Sequence, residues 1–149
     1  MTYKLSLLMA SKPESRLWYK LRDNTKKEIH WTRIESWATP GIPDLYGIRK
    51  GLGFWVELKI HKLKSLKNIN LSPHQIGWQI QHIRHGGRVW NLVDHPSSGT
   101  LNLFWGGNAE KIGKGCKVNE RDEKPIAPDW SCSSPYDWAG LIKTLTDSQ

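Results

Sequence analysis

The sequence predicts an α/β fold, a mixed β-sheet flanked by helices. Three observations predict it. Helix and strand patterns follow one another in the order helix, three strands, helix, strand. A short glycine-containing turn joins two of the strands as a hairpin. A lysine- and asparagine-bearing loop then separates that hairpin from the second helix. At 149 residues the chain is expected to form one domain, with its core over about residues 11–105 and an extension over 106–149.

The elements are justified in order. Residues 5–10 are a brief apolar run, too short for a membrane span and poor as a signal peptide, and read as a small hydrophobic contact. Ser11-Lys12-Pro13-Glu14 reads as a capping box with proline in the first turn, opening a helix to about Asp23. Residues 28–35 read as a first strand, and 45–48 and 54–60 as the hairpin. Ser72-Pro73-His74-Gln75 opens a second helix that runs to His85 and stops at Gly86-Gly87. On it Ile76, Ile80 and Ile83 form an apolar face, and Gln75, Gln79 and His82 a polar one. Residues 88–93 and 101–105 are further strands. Residues 106–124 read as a long mobile loop and 125–135 as a proline-marked connection. A last helix begins at 134–137, and its Trp138, Leu141, Ile142 and Leu145 either pack on the sheet or make a dimer contact.

The chemistry lies in G-I-P-D-L, residues 41–45, and W-V-E-L-K, residues 55–59. Alternate side chains of a strand share a face, so Trp55, Glu57 and Lys59 point one way and Val56, Leu58 and Ile60 the other. The second set suits a core; the first reads as the open side. A hairpin centred between Lys50 and Gly51 sets Asp44 directly across from Glu57, and a bulge at the turn glycines is the alternative register. Opposed like charges are destabilising. Two facing carboxylates make sense around a divalent cation, and Mg²⁺ is held by one or two carboxylates with water and phosphate oxygens. Lys59 beside them suits stabilising charge on a phosphate, or orienting and deprotonating a water.

G-x-P-D, then V-E-L-K, then L-S-P-H-Q at 71–75 resembles the PD-(D/E)XK nuclease superfamily. The resemblance is to the small virus-type replication-repair nucleases (VRR-NUC) and their Holliday-junction-resolvase relatives, over about residues 14–93. It implies a restriction-endonuclease-like core in αβββαβ order with a C-terminal extension. It implies that Asp44, Glu57 and the Leu58 carbonyl bind the metal and that Lys59 is the catalytic lysine. It also implies an acid from the first helix, Glu14, with Glu35 as competitor, and a glutamine, Gln75, reaching the site. Each has a plainer reading: Glu14 and Gln75 as partners in their capping boxes, and Glu35 as a surface ion pair with Arg33. The implied activity is metal-dependent phosphodiester hydrolysis with Mg²⁺, accepting Mn²⁺ in its place and leaving a 5′-phosphate.

Composition adds a partner. Lys and Arg number 22 against 14 acidic residues, a net charge of +8, and the pI is 9.6. Such a surface attracts polyanions. Lys62, Lys64, Lys67 and His61 follow the catalytic strand, where a bound phosphodiester would need them. The expected partner is DNA. Phosphate contacts carry no sequence information, so branched duplex such as a Holliday junction or flap comes first, cut by a homodimer; the resemblance suits a phage-type chain. The alternatives are a sequence-specific restriction- or homing-type endonuclease and a catalytically silent DNA-binding module. The histidines form no zinc pair and no H-N-H-like signature, and Cys116 and Cys132 lack C-x-x-C partners. Free thiols fit a cytoplasmic location. Of nine tryptophans, Trp78 sits off the apolar stripe of its helix, where a protein or base-stacking contact is open to it.

Overall fold

The computed structural model describes residues 12–113 and 126–147. The readings made for residues 5–10, for Ser11, for Cys116 and for most of the 106–124 loop fall outside them. Helices are α1 (Pro13–Thr25), α2 (Pro73–Arg84), α3 (Ala109–Ile112) and α4 (Trp138–Thr146). Strands are β1 (His30–Arg33), β2 (Leu45–Arg49), β3 (Leu52–Ile60), β4 (Val89–His95), β5 (Thr100–Trp105) and β6 (Trp130–Ser133). The strands form one sheet in sequence order. Its pairs are antiparallel except β3–β4, which is parallel. A parallel pair needs a crossover, and the chain supplies α2 for it.

The hairpin register is the expected one: Leu45 pairs with Val56 and Arg49 with Leu52. Lys50 and Gly51 form its two-residue turn with φ of 49° and 79°. Positive φ at both positions is the type I′ geometry, whose twist matches the flanking strands.

Each sheet face is covered. Phe54, Val56, Leu58, Trp90, Leu92, Leu101 and Leu103 pack with Leu17, Trp18 and Leu21 of α1 and Leu141, Ile142 and Leu145 of α4. Thus α4 packs on the sheet. Burying one such leucine contributes about 1.5–3 kcal/mol, against about 1 kcal/mol for an N-cap. Packing therefore sets α1, whose N-cap Lys12 makes no side-chain capping bond. With the helix starting at Pro13, Glu14 is its second residue, one position off the expected capping-box place. The other face carries Ile69, Leu71, Val93, Phe104, Ala109 and Ile112, with Ile76 of α2 against them.

Three expectations are corrected here. The 106–124 segment opens with a 3₁₀ turn, Gly106–Asn108, and with α3, whose Ala109 and Ile112 are buried. The 125–135 connection contains β6, paired with β5. In α2 the fully buried side chain is Gln79, while Ile80 and Ile83 are half-buried, because the helix turns its polar stripe toward the sheet. No helix among the described residues is long and apolar enough to cross a membrane.

Candidate active site

The site forms where β2 begins and β3 runs on past it. β2–β3 pairing ends at Leu45–Val56, so the next β3 residue facing that side has no strand partner. Asp44 fills the gap: the Leu58 N–H donates to Asp44 Oδ2 at 2.8 Å. A strand residue's N–H and C=O point to the same side, so the Leu58 carbonyl also faces the Asp44 side. Asp44 is held from behind as well, the Ile34 N–H donating to its carbonyl at 2.7 Å.

The approach to Asp44 explains the glycine of G-I-P-D-L. Gly41 has φ of 82°, and a Cβ there would run into the His74 carbonyl and stand 2.8 Å from the Gln75 nitrogen. Glycine alone lets this loop lie against the first turn of α2. The loop that delivers Asp44 and the helix that delivers Gln75 are thereby locked together.

Gln75 does both jobs that the sequence left as alternatives. Its N–H donates to Ser72 Oγ at 3.1 Å, and its Oε1 accepts from the Ser72 N–H at 2.9 Å, closing a capping box. Its Nε2 then donates to Glu57 Oε1 at 3.0 Å. The box fixes the amide, so the amide can fix the carboxyl.

Glu57 is 3% exposed, which corrects the open-side reading of β3: α2 covers that face. Lys59 Nζ stands 3.7 Å from Glu57 Oε1. Glu57 Oε2 is buried and accepts no hydrogen bond. Burial, followed by the Asp44 charge, pushes the Glu57 carboxyl up to about 9, against the opposing pull of Lys59. The Asp44 and Glu57 carboxyls are close enough to share a proton. With both ionised, Oε2 has no donor and faces a like charge. Only a proton or a cation between the two acids resolves that.

Partial desolvation and then Asp44 also raise Glu14, while Lys59 and Lys12 lower it. Glu14 therefore lies in the field of this cluster, although the residue is exposed overall. Among the described residues no three His, Cys, Asp or Glu side chains gather at metal-holding range. The donors that could hold a cation are the Asp44 and Glu57 carboxylates and the Leu58 carbonyl, which suits a hard ion completing its shell with water or phosphate. Glu35 is exposed beyond β1 and is not among the charges acting on Glu57 or Glu14.

Lys62, Lys64 and Lys67 are exposed on the loop after β3. His61 is not presented with them. It is 5% exposed and its Nε2 bonds the Ser65 carbonyl at 2.6 Å, so the expected phosphate contact is corrected to a loop anchor. His95 is 3% exposed and bonds the Leu63 carbonyl through Nε2 at 2.7 Å, an anchor in place of the phosphate contact or plain exposure that its place among the mid-chain histidines suggested. The two imidazoles, with ring centres 5.5 Å apart, pin the turn that displays Lys62 and Lys64. Also unforeseen is the pairing of Gln79 with Asn91, discussed below. Cys132 carries a free thiol.

No protein-family model matches the chain, and no curated protein matches it. Among solved structures the chain is similar to Hjc, a Holliday junction resolvase from the archaeal hyperthermophile Archaeoglobus fulgidus. The TM-score is 0.48 and the identity 14%, covering 62% of this chain and 76% of that one. This is a likeness of shape over part of the molecule, and the functional reading rests on the side chains.

Proposed function

We propose that this chain is a divalent-metal-dependent nuclease that hydrolyses phosphodiester bonds in branched duplex DNA. The observation that carries the reading is Glu57 Oε2, buried without a hydrogen-bond donor beside the Asp44 carboxyl. A protein retains such a pair at a cost, and a cation between the acids removes the cost. Asp44, Glu57 and the Leu58 carbonyl would hold Mg²⁺ or Mn²⁺, with Glu14 adding negative field. Bound there, the ion supplies positive charge for the scissile phosphate and lowers the pKa of a coordinated water.

The chain's own groups do the rest. Gln75 holds the Glu57 carboxyl in one orientation. The Lys59 ammonium offsets negative charge that develops on the phosphate and orients the attacking water. Lys62, Lys64 and Lys67 receive the neighbouring phosphates, and the His61 and His95 anchors spare that loop part of the ordering cost of binding. Cutting a four-way junction on two strands requires two sites, so the working form is a homodimer.

The test incubates the protein with Mg²⁺ and labelled four-way junction, flap and linear duplex of matched sequence, with Glu57→Ala in parallel. Cleavage confined to branched DNA, dependent on Mg²⁺ and absent in the variant, is the expected result. A defined cut in linear duplex would instead favour a sequence-specific enzyme. Binding without cleavage by the unaltered protein would leave a DNA-binding module.

A further inference from the structure

A cleft of about 510 Å³ runs along α2, lined by Pro40 of the loop leading to Asp44 and, on the helix, by Pro73, His74, Gly77, Trp78 and His82 among others. Its wall is a ring stack. Trp78 and His82 lie face to face, 4.5 Å apart and 12° from parallel. Trp55 of β3 backs them edge-on, 5.2 Å from Trp78 and 6.0 Å from His82, and Tyr46 backs Trp55 at 4.9 Å. The wall is therefore braced from the sheet. Above the helix the cleft is open, because a Cβ on Gly77 would meet nothing within 4 Å. Trp37, three residues before Pro40 on the same loop, is 99% exposed.

The place of this cleft matters as much as its lining. Trp55 and Glu57 are successive residues on one face of β3, about 6.6 Å apart. Trp78 is one turn along α2 from His74, whose neighbour Gln75 bonds Glu57. A strand whose phosphate reached Asp44 and Glu57 would bring its adjacent nucleotide to the rings. Paired bases keep their faces stacked inside a duplex and have none to offer. An unpaired base does, and stacking on an aromatic side chain is indifferent to which base it is.

We propose that the Pro40–Trp78–His82 cleft binds the base of an unpaired nucleotide next to the scissile phosphate, so that the preferred substrate carries single-stranded nucleotides at its branch point. The inference rests on the nuclease reading for its geometry. It separates the substrate from a fully paired four-way junction. The elements that line it also carry the acidic pair, the Pro40 loop leading to Asp44 and α2 bearing the Gln75 that bonds Glu57, and this together with the aromatic lining favours nucleic acid as the occupant.

Binding without cleavage tests it, measured by fluorescence anisotropy in chelator. The probes are a blunt duplex, the same duplex with a short thymidine overhang, and the same overhang made abasic. The base-bearing overhang is expected to bind more tightly than the abasic one by roughly 5- to 150-fold, the range for one stacked base. Trp78→Ala should abolish that difference. Because Trp78 braces Trp55, Gly77→Leu is the second variant: it adds a helix-favouring side chain in open space and fills the cleft. It should retain the melting temperature and lose the preference for the base. Equal binding of the abasic and base-bearing overhangs would overturn the proposal and leave phosphate attraction only. So would a preference that survives both Trp78→Ala and Gly77→Leu. Metal-dependent cleavage of paired branched DNA, scored separately, reports on the nuclease reading. It should persist in Gly77→Leu, so the two readings fail independently.

Discussion

Two glutamines one turn apart on α2 face the same side of the sheet and meet opposite kinds of partner. Gln75 reaches Glu57 on β3 and Gln79 reaches Asn91 on β4, and Glu57 and Asn91 are themselves register partners. The Gln79–Asn91 pair is closed: each amide donates to the other, at 2.7 and 2.8 Å. Both side chains are fully buried and neutral, and the two bonds meet the requirement that buried polar groups be paired. The Gln75–Glu57 pair is open. It supplies one bond to one oxygen and leaves the other oxygen bare beside a second acid. The same helix thus places two amides in equivalent positions, one to finish a polar contact in the core and one to hold a carboxyl that the protein alone leaves unfinished. An unfinished buried carboxyl next to a finished neutral pair marks where a ligand belongs.

The comparison can be broken at the open pair first. Gln75→Ala should lower metal affinity or cleavage by about 10- to 100-fold, the usual effect of removing a group that orients a metal ligand. Titration of Mn²⁺ alongside cleavage of a branched substrate checks it, and unchanged values for both would reduce Gln75 to its capping role. Gln79→Ala attacks the closed pair and should leave the affinity for metal intact. Stranding the Asn91 amide should cost about 1–3 kcal/mol of stability, read as a lower midpoint in urea. Replacing both residues by leucine should recover most of that loss.

The gentlest test is pH. Glu57 moves from an ordinary value of 4.5 to about 9 in the folded, metal-free protein. Between those values the folded state holds a proton that the unfolded chain has released, so stability declines as pH rises through this window. Melting temperature in chelator should fall from about pH 5 to about pH 9. Saturating Mg²⁺ should flatten the slope by favouring the ionised form, as should Glu57→Gln. A slope unaffected by either would show that Glu57 does not titrate in that range.

Much of this arrangement was legible in the residues, and the reasons differ by element. The Asp44–Glu57 opposition followed from a two-residue glycine turn, because turn length fixes register and register fixes facing pairs. Gln75 was visible as a helix-start residue, and only tertiary contact shows that the same amide also meets Glu57. Gln79 was placed on a polar stripe, but periodicity cannot say that a polar stripe is buried against a strand, even when its partner, Asn91, lies on the very next element. His61 looked like a member of a basic loop because its alternation with Lys59 carries no information about what closes over it. β6 was missed because Trp130–Ser133 is four residues long, too short to alternate clearly, and its pairing with β5 is not local. Gly41 stood in the motif without a cause until the His74 carbonyl supplied one.

The Lys50–Gly51 turn has a consequence of another kind. It lies about 20 Å of strand away from Asp44 and touches nothing at the reactive end, so only its own positive φ, and no contact with the site, restricts its side chains. Its length is tied to the site. One residue gained or lost there shifts β2 against β3 by one step and turns Asp44 to the wrong face. The turn behaves like the count of teeth between two gears: beyond the residue choice its own φ imposes, it is insertions and deletions that would reach the distant site.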